Sequence, residues 1–350
     1  MDKSCFTIGN HTIGDGAKPF IIAEIAQAHD GSLGMAHAYV DAVADAGADA
    51  VKFQTHIASE ESTLDEPFRV RFSHQDGTRF DYWKRMGFSE QQWADLSKHA
   101  KSRNLIFFSS PFSVAAVEML MRIGVPVWKV GSGEVFNKEL LSAITKNKAP
   151  ILLSTGMSSF KDIEDSVEQI KNTGVPFALL QCTSQYPVMM EHVGLNVIDE
   201  LRRRFRCPVG LSDHSGEMFP AVAALAKGAN IIEVHVVFDK RMFGPDTKAS
   251  ITVDQLRFLV EARDAFWTME THPVDKNAIA ASLAGTKQIF TRSLAPRKAL
   301  EAGTVLQEDM LTVKKPGTGI AATELKNVIG RRLKRNVTAD RILRWEDIDG

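Results

Sequence analysis

The stretch Pro208-Val209-Gly210-Leu211-Ser212-Asp213-His214-Ser215 and its successor Asn230-Ile231-Ile232-Glu233-Val234-His235 share one plan. In each, a short apolar run ends in polar residues and a histidine. These runs, Pro208–Leu211 and Asn230–His235, close a series of eight. The earlier members are Phe20–Ile25, Ala50–Gln54, Leu105–Ser109, Val127–Val130, Ile151–Ser154 and Phe177–Gln181. They lack simple alternation, as expected of parallel strands covered on both faces. Helical spacing of apolar residues fills Ala36–Ala46, Glu90–Ala100, Ser113–Met121, Asp162–Lys171 and Phe219–Ala226. Four of these segments run toward a glycine, at 47, 124, 174 and 228, consistent with left-handed helix stops. Eight strand–helix units predict an α/β fold, a (β/α)8 TIM barrel. A doubly wound open sheet is the alternative. It would want a phosphate fingerprint after the first strand, and Ala26-Gln27-Ala28-His29-Asp30-Gly31 is not G-x-G-x-x-G.

The 350 residues have room for one large domain and a small one. Hydrophobic residues make up 44% and charged residues 24%, with a net charge of -1. That balance points to no nucleic-acid or membrane partner. The three cysteines, Cys5, Cys182 and Cys207, form no CxxC pair, so neither a zinc ribbon nor a disulfide framework is expected. No run approaches a membrane span, and the N-terminal residues lack the apolar core of a signal peptide. A reducing, cytoplasmic location is the expectation.

A short hairpin is expected over the first nineteen residues, with Gly14-Asp15-Gly16 as turn material, placed to plug the barrel floor. The barrel domain is expected to run over 1–280. Residues 57–88, between the second and third strands, form a long polar and aromatic insertion with Arg69, Arg71, His74, Arg79 and Trp83. On the catalytic face of a barrel it is either a lid or a surface loop. Beyond residue 285 the pattern changes to short β-like pieces, Arg292–Leu294, Val305–Leu306, Leu311–Val313 and Arg332–Asn336. These predict a compact, mostly β module over 285–350. So small a module buries little surface alone and is expected to dock on its own barrel or on a partner subunit.

Barrel enzymes carry their chemistry at the carboxyl ends of the strands. In order, those ends present Glu24; Lys52 and Gln54; Ser110; Lys129, Ser132 and Glu134; Ser154; Ser184 and Tyr186; Ser212, Asp213 and His214; Glu233 and His235. Residues i and i+2 share a face, so Lys52 with Gln54, and Glu233 with His235, can point inward together. Two lysines among hydroxyls and glycine amides suit an anionic, phosphate-bearing substrate. Glu24 and Glu134 are candidate acid/base groups, acceptors for sugar hydroxyls or partners for the lysines. His214 and His235 are candidate ligands for a divalent transition metal such as manganese, iron or zinc. Two imidazoles leave open positions, which fits Lewis-acid catalysis better than a closed structural site.

These residues fall in motifs that resemble the sialic acid (N-acetylneuraminate) synthase family. They are Lys52-Phe53-Gln54-Thr55, Ser110-Pro111-Phe112, Lys129-Val130-Gly131-Ser132-Gly133-Glu134, Ser154-Thr155-Gly156-Met157, Cys182-Thr183-Ser184-Gln185-Tyr186-Pro187, Ser212-Asp213-His214-Ser215 and Gly244-Pro245-Asp246. The stretch from Arg292 to Arg331, with Lys315-Pro316-Gly317-Thr318-Gly319, resembles that family's antifreeze-like (SAF) domain. The resemblance implies condensation of phosphoenolpyruvate with an N-acylated amino sugar, such as N-acetylmannosamine, to give a nonulosonic acid and phosphate. It implies that Lys52, Ser110, Lys129, Ser132, Ser154, Ser184 and Ser212 hold phosphoenolpyruvate. Gln54, Glu134, Tyr186, Asp246 and Lys315 would face the sugar, and Glu24 or Glu134 would handle protons. His214 and His235 would hold the metal, manganese first, with magnesium, cobalt, iron or zinc as alternatives. It also implies a domain-swapped homodimer in which the SAF domain covers the partner's barrel mouth. Three positions depart from the pattern: Ala28 before His29, Thr247 after Gly-Pro-Asp, and Lys315 where arginine is usual. Alternatives are a synthase for a legionaminic or pseudaminic acid, one for a shorter 2-keto-3-deoxy sugar acid, or a sugar-binding protein with an inactive barrel.

Overall fold

The computed structural model describes residues 5–349, in two compact units that divide between Thr271 and His272. The first unit opens with an antiparallel hairpin, β1 (Phe6–Ile8) and β2 (His11–Ile13). Its turn is Gly9-Asn10, where Gly9 has φ of 58°. Gly14-Asp15-Gly16, expected as the turn, instead follows β2 and leads toward the barrel. Ile8 and Ile13 are buried in the same core as the barrel strands. A Cβ on Gly9 would meet Ile106 Cδ1 at 2.6 Å. The hairpin thus covers the amino-terminal ends of the strands.

Eight parallel strands follow: β3 (Phe20–Ala26), β4 (Ala50–Thr55), β5 (Ile106–Pro111), β6 (Trp128–Val130), β7 (Ile151–Ser154), β8 (Phe177–Cys182), β9 (Val209–Asp213) and β10 (Ile231–Val237). The ladder runs β5-β4-β3-β10-β9-β8-β7-β6, and β5 and β6 pack side by side to complete the round. First strand pairs with last, which a doubly wound open sheet does not allow. β3 and β10 are buried along their whole length, so their Ile- and Val-rich runs have no polar face to alternate with. A short strand, β11 (Ile251–Thr252), extends the sheet beside Val236 and Val237 and leads into the helix Val253–Thr271.

The outer helices begin on serines that accept from the first-turn amides, at Ser32, Ser89, Ser113 and Ser159. Leu33–Ala46 and Val114–Ile123 end on Gly47 and Gly124, both at φ 81°, where a side chain would be strained. Gly174 and Gly228 take positive φ slightly beyond their helices.

In the second unit β12 (Ser293–Pro296) pairs antiparallel with β13 (Leu311–Lys314). Isolated bridges join Leu300 to Val337, Val305 to Arg332 and Leu333 to Ile348. Ten buried apolar side chains, among them Leu294, Leu306, Ile320 and Leu343, give this unit a core of its own. The helices Lys276–Ser282 and Ala284–Phe290 also belong to it. Among the described residues no helix is long and apolar enough to cross a membrane.

Candidate active site

Strand register decides which side chains meet at the barrel's carboxyl end. Glu24 on β3 stands beside Lys52 on β4 and His235 on β10, and Glu233 stands beside Ser212 on β9. The ladder shifts between Glu24 and Ala26, and Ala26 takes φ of 47°, a bulge at the mouth end of the strand. Above these strands lies a cavity of about 620 Å³.

Two lysines and two glutamates form its floor. Lys52 Nζ lies 2.5 Å from Glu24 Oε2 and 3.9 Å from Glu233 Oε2, and Lys129 Nζ lies 3.3 Å from Glu233 Oε1. All four are nearly excluded from solvent. Burial pushes the Glu24 carboxyl up to about 7, with Lys52 pulling the other way. Burial also acts on Glu233, but Lys129 and Lys52 outweigh it and hold that carboxyl below its ordinary range. Lys129 is pushed down by burial, against Glu233. Glu24 Oε2 and Glu233 Oε2 accept no hydrogen bond; the short Lys52–Glu24 approach is an ion pair without hydrogen-bond alignment. A floor of paired charges with unfilled acceptor and donor capacity is able to exchange partners when an anion arrives.

Hydroxyls line the wall next to the lysines. Lys52 Nζ donates to Ser110 Oγ at 3.2 Å and Lys129 Nζ to Ser154 Oγ at 2.6 Å. Ser212 Oγ donates to Glu233 Oε1 at 2.7 Å, and the Gly156 amide to Ser132 Oγ at 3.0 Å. A Cβ at position 156 would lie within 3 Å of Ser184 Oγ, Cys182 Sγ and Ser132 Oγ, so glycine keeps this hydroxyl-lined recess open. Ser110, Ser132, Ser154, Ser184 and Ser212 all line the cavity with Lys52 and Lys129. The structure thereby brings together every side chain expected at the anionic substrate.

The two histidines lie together at the other side, ring centroids 5.2 Å apart at 67°. His214 Nδ1 lies 3.1 Å from the Thr183 carbonyl oxygen, which can only accept, so Nδ1 carries the hydrogen. Nε2 lies 3.0 Å from the hydroxyl of Tyr186, whose ring stacks on the same imidazole. Burial holds His235 well below its ordinary range, and its neutral ring lies 4.0 Å from Asp246 Oδ2. Burial acts the same way on His214, but the neighbouring Cys182 outweighs it and raises that ring. A backbone carbonyl partner on Nδ1, with the ring in the cavity lining, fits a metal-ligating histidine. Among the described residues no cluster of three or more His, Cys, Asp or Glu is arranged around one point. Two imidazoles alone would leave the other positions around an ion to substrate and water oxygens.

Glu134 lies on the turn Ser132–Glu134 after β6, half-buried, and accepts from Asn137 Nδ2 at 2.9 Å. Burial raises its carboxyl. Its neighbours Ser132 and Gly133 line the cavity, whereas Glu134 does not. Glu24 lies just beneath the lining, in contact with Lys52 and Gln54. Lys315 is on the second unit, exposed, with Nζ 5.1 Å from the Phe290 ring centroid.

The insertion is built into the site. Its helices Ala58–Glu61 and Arg79–Met86 hold a small core of Ala58, Tyr82, Trp83 and Met86, with Phe68, Phe72 and Phe80 packed on it. Phe68, Arg69, Phe72, Tyr82 and Trp83 face the cavity. Arg69 donates to Asp246 Oδ1 at 3.2 Å and lies 4.2 Å over the Tyr186 ring. Arg69 and Glu233 are two charged residues of the site to which the sequence alone assigns no role. Glu233 was signalled by its i, i+2 relation to His235. Nothing local signals Arg69, because its partner is 177 positions away.

A nearly closed (β/α)8 barrel with buried lysines, serines and paired histidines at its carboxyl rim defines the chain as a TIM-barrel enzyme. The NeuB family profile matches residues 39–274 and the SAF domain profile residues 291–349. The chain belongs to the NeuB family, enzymes of the sialic acid synthase type, and carries a SAF domain. An N,N'-diacetyllegionaminic acid synthase of Campylobacter jejuni is 31% identical over 335 residues, covering 93% of this chain and 99% of that one. The human N-acetylneuraminate-9-phosphate synthase is 32% identical over 337 residues, covering 94% and 92%. Among solved structures, the N-acetylneuraminic acid synthetase of Leptospira borgpetersenii superposes with a TM-score of 0.71 at 30% identity, covering 82% of this chain and 98% of that one.

Proposed function

We propose that this enzyme condenses phosphoenolpyruvate with the open-chain aldehyde of an N-acylated amino sugar, giving a nonulosonic acid and phosphate. The observation that carries the proposal is the floor: two buried lysines bridged by Glu233 and ringed by Ser110, Ser154 and Ser212. Lys52 meets the carboxylate of phosphoenolpyruvate, and Lys129 with the serine hydroxyls holds its phosphate. Gln54, Tyr186 and Asp246 face the sugar, and Glu134 lies on the turn just outside that lining. In a homodimer, which here rests on the family resemblance, the partner's Lys315 joins them. His214 and His235 hold a divalent ion, manganese first, whose chemistry is to polarise the aldehyde oxygen.

The enol carbon C3 forms a bond to the aldehyde carbon, and the aldehyde oxygen takes a proton from solvent to become a hydroxyl. Positive charge develops at C2, where water adds. Glu24, poised near neutrality by burial, takes the proton of that water. The C2–O bond to phosphate then breaks as the new C2 hydroxyl gives its remaining proton to the departing phosphate, leaving a 2-keto acid. The lysines and hydroxyls that bound the phosphate ester also receive the departing phosphate.

The test is phosphate release from phosphoenolpyruvate in the presence of N-acetylmannosamine or related N-acyl hexosamines, after metal removal and again with manganese restored. Metal-dependent release with a 2-keto acid product is expected. Folded, manganese-loaded protein that releases no phosphate with any of these sugars would refute the proposal.

A further inference from the structure

We infer that the buried pair His56–Glu61 is a positioning device that sets the Gln54 amide so that it donates to Glu24. His56 follows β4, and its ring is held in a three-layer stack. Trp83 lies 3.7 Å away on one face at 13°, and Phe112 lies 4.3 Å away on the other at 14°. With the ring plane fixed, both nitrogens have one partner each. Nδ1 lies 2.5 Å from Glu61 Oε1, and Nε2 lies 3.3 Å from Gln54 Oε1. Both partners are oxygens that accept, an arrangement that suits a ring with hydrogen on both nitrogens. The buried Glu61 carboxylate, whose other oxygen has no hydrogen bond, is the counter-charge for that ring. The other titratable groups facing His56 are His29 and, on the turn after β6, Glu134.

The Gln54 amide has two orientations, and its neighbours decide between them. As it stands, Nε2 donates to Glu24 Oε1 at 3.1 Å, while Oε1 accepts from His56 and from Gln27 Nε2 at 3.0 Å. Gln27 can turn its own amide and satisfy either orientation. His56 with hydrogen on Nε2 cannot, because it must meet an oxygen. Losing that hydrogen frees the Gln54 amide to rotate and to point its oxygen at the Glu24 carboxylate, which then loses its donor. Glu61 lies on Ala58–Glu61 and Trp83 on Arg79–Met86, so the insertion supplies both the charge and one wall of the ring's slot. Residues 57–88 thereby act on the floor of the barrel through His56.

The role assigned to Glu24 rests on the proposed condensation, so the test has one arm that needs no turnover. Nitrogen-15 NMR of histidine-labelled wild-type protein should show both His56 nitrogens protonated, and one of them unprotonated in Glu61→Gln. A singly protonated His56 in the wild type overturns the inference whatever the enzyme's substrate. In the kinetic arm, Glu61→Gln removes the charge and keeps the shape. It should lower kcat by about tenfold, with the KM for phosphoenolpyruvate unchanged, and have no further effect when Gln54 is already alanine. Unchanged kcat, or an equal loss added on top of Gln54→Ala, overturns it. A wild-type enzyme inactive toward every sugar refutes the proposed function instead, and the NMR arm still decides.

Discussion

Replacing Glu233 by glutamine removes the one charge that holds both floor lysines. Its carboxylate lies 3.3 Å from Lys129 and 3.9 Å from Lys52, all three out of solvent. Breaking a buried pair from one side costs about 3–5 kcal/mol. The relief available, loss of a proton from one lysine at pH 7, costs up to about 4–5 kcal/mol at roughly 1.4 kcal/mol per pH unit. The two routes agree on a loss of about 4 kcal/mol. In a unit of this size that lowers the melting midpoint by on the order of 10 °C. Phosphoenolpyruvate brings anionic groups to the same lysines, so it should restore much of the loss. Calorimetry of Glu233→Gln with and without phosphoenolpyruvate reads both quantities. The variant should melt well below the wild type, and the ligand should raise its midpoint by more than it raises the wild type's. A midpoint within about 2 °C of wild type, or an equal ligand shift in both proteins, would refute the idea that Glu233 stands in for the substrate's charge.

Three further outcomes follow from the proposed function. Burial raises the Glu24 carboxyl to about 7, with Lys52 opposing; below that pH it holds its proton and cannot accept one. The kcat/KM profile should therefore fall on its acid side with a midpoint near 7, and Glu24→Gln should lose that limb. A limb centred at the ordinary carboxyl value of 4.5 would reject the role. His214→Ala should cost more than the ~10–100-fold typical of losing an outer-shell partner, without rescue by added manganese and with an unchanged circular dichroism spectrum. Lys315→Ala should raise the KM for the sugar and leave that for phosphoenolpyruvate unchanged; a loss confined to phosphoenolpyruvate would reject its placement.

The barrel was legible because its strands are buried on both faces, so their apolar runs stand out from the helices without any alternation. Even β6, three residues long, was visible as Val127–Val130. The hairpin turn was misread. Gly14-Asp15-Gly16 is the stronger local turn signal, but the chain turns at Gly9-Asn10, where Ile8 and Ile13 can both reach the core. Strand periodicity exposed the residues of the site but not their pairings. Glu233 on β10 binds two lysines that lie on β4 and β6, two and four strands away around the barrel, and no local pattern encodes that meeting. The insertion is the clearest case. Its composition fits a surface loop as well as a lid, yet Arg69 joins Asp246 and Tyr186, and Trp83 stacks on His56. Those contacts exist only once the barrel has closed.

The central claim is that the lysine–serine floor binds phosphoenolpyruvate and releases its phosphate by carbon–oxygen cleavage. Turnover of phosphoenolpyruvate labelled with oxygen-18 at the C2 bridging oxygen, with an N-acyl hexosamine and manganese, tests it most directly. The label should leave in the phosphate, with unlabelled oxygen from water at C2 of the 2-keto acid. Label retained in the sugar product would contradict it.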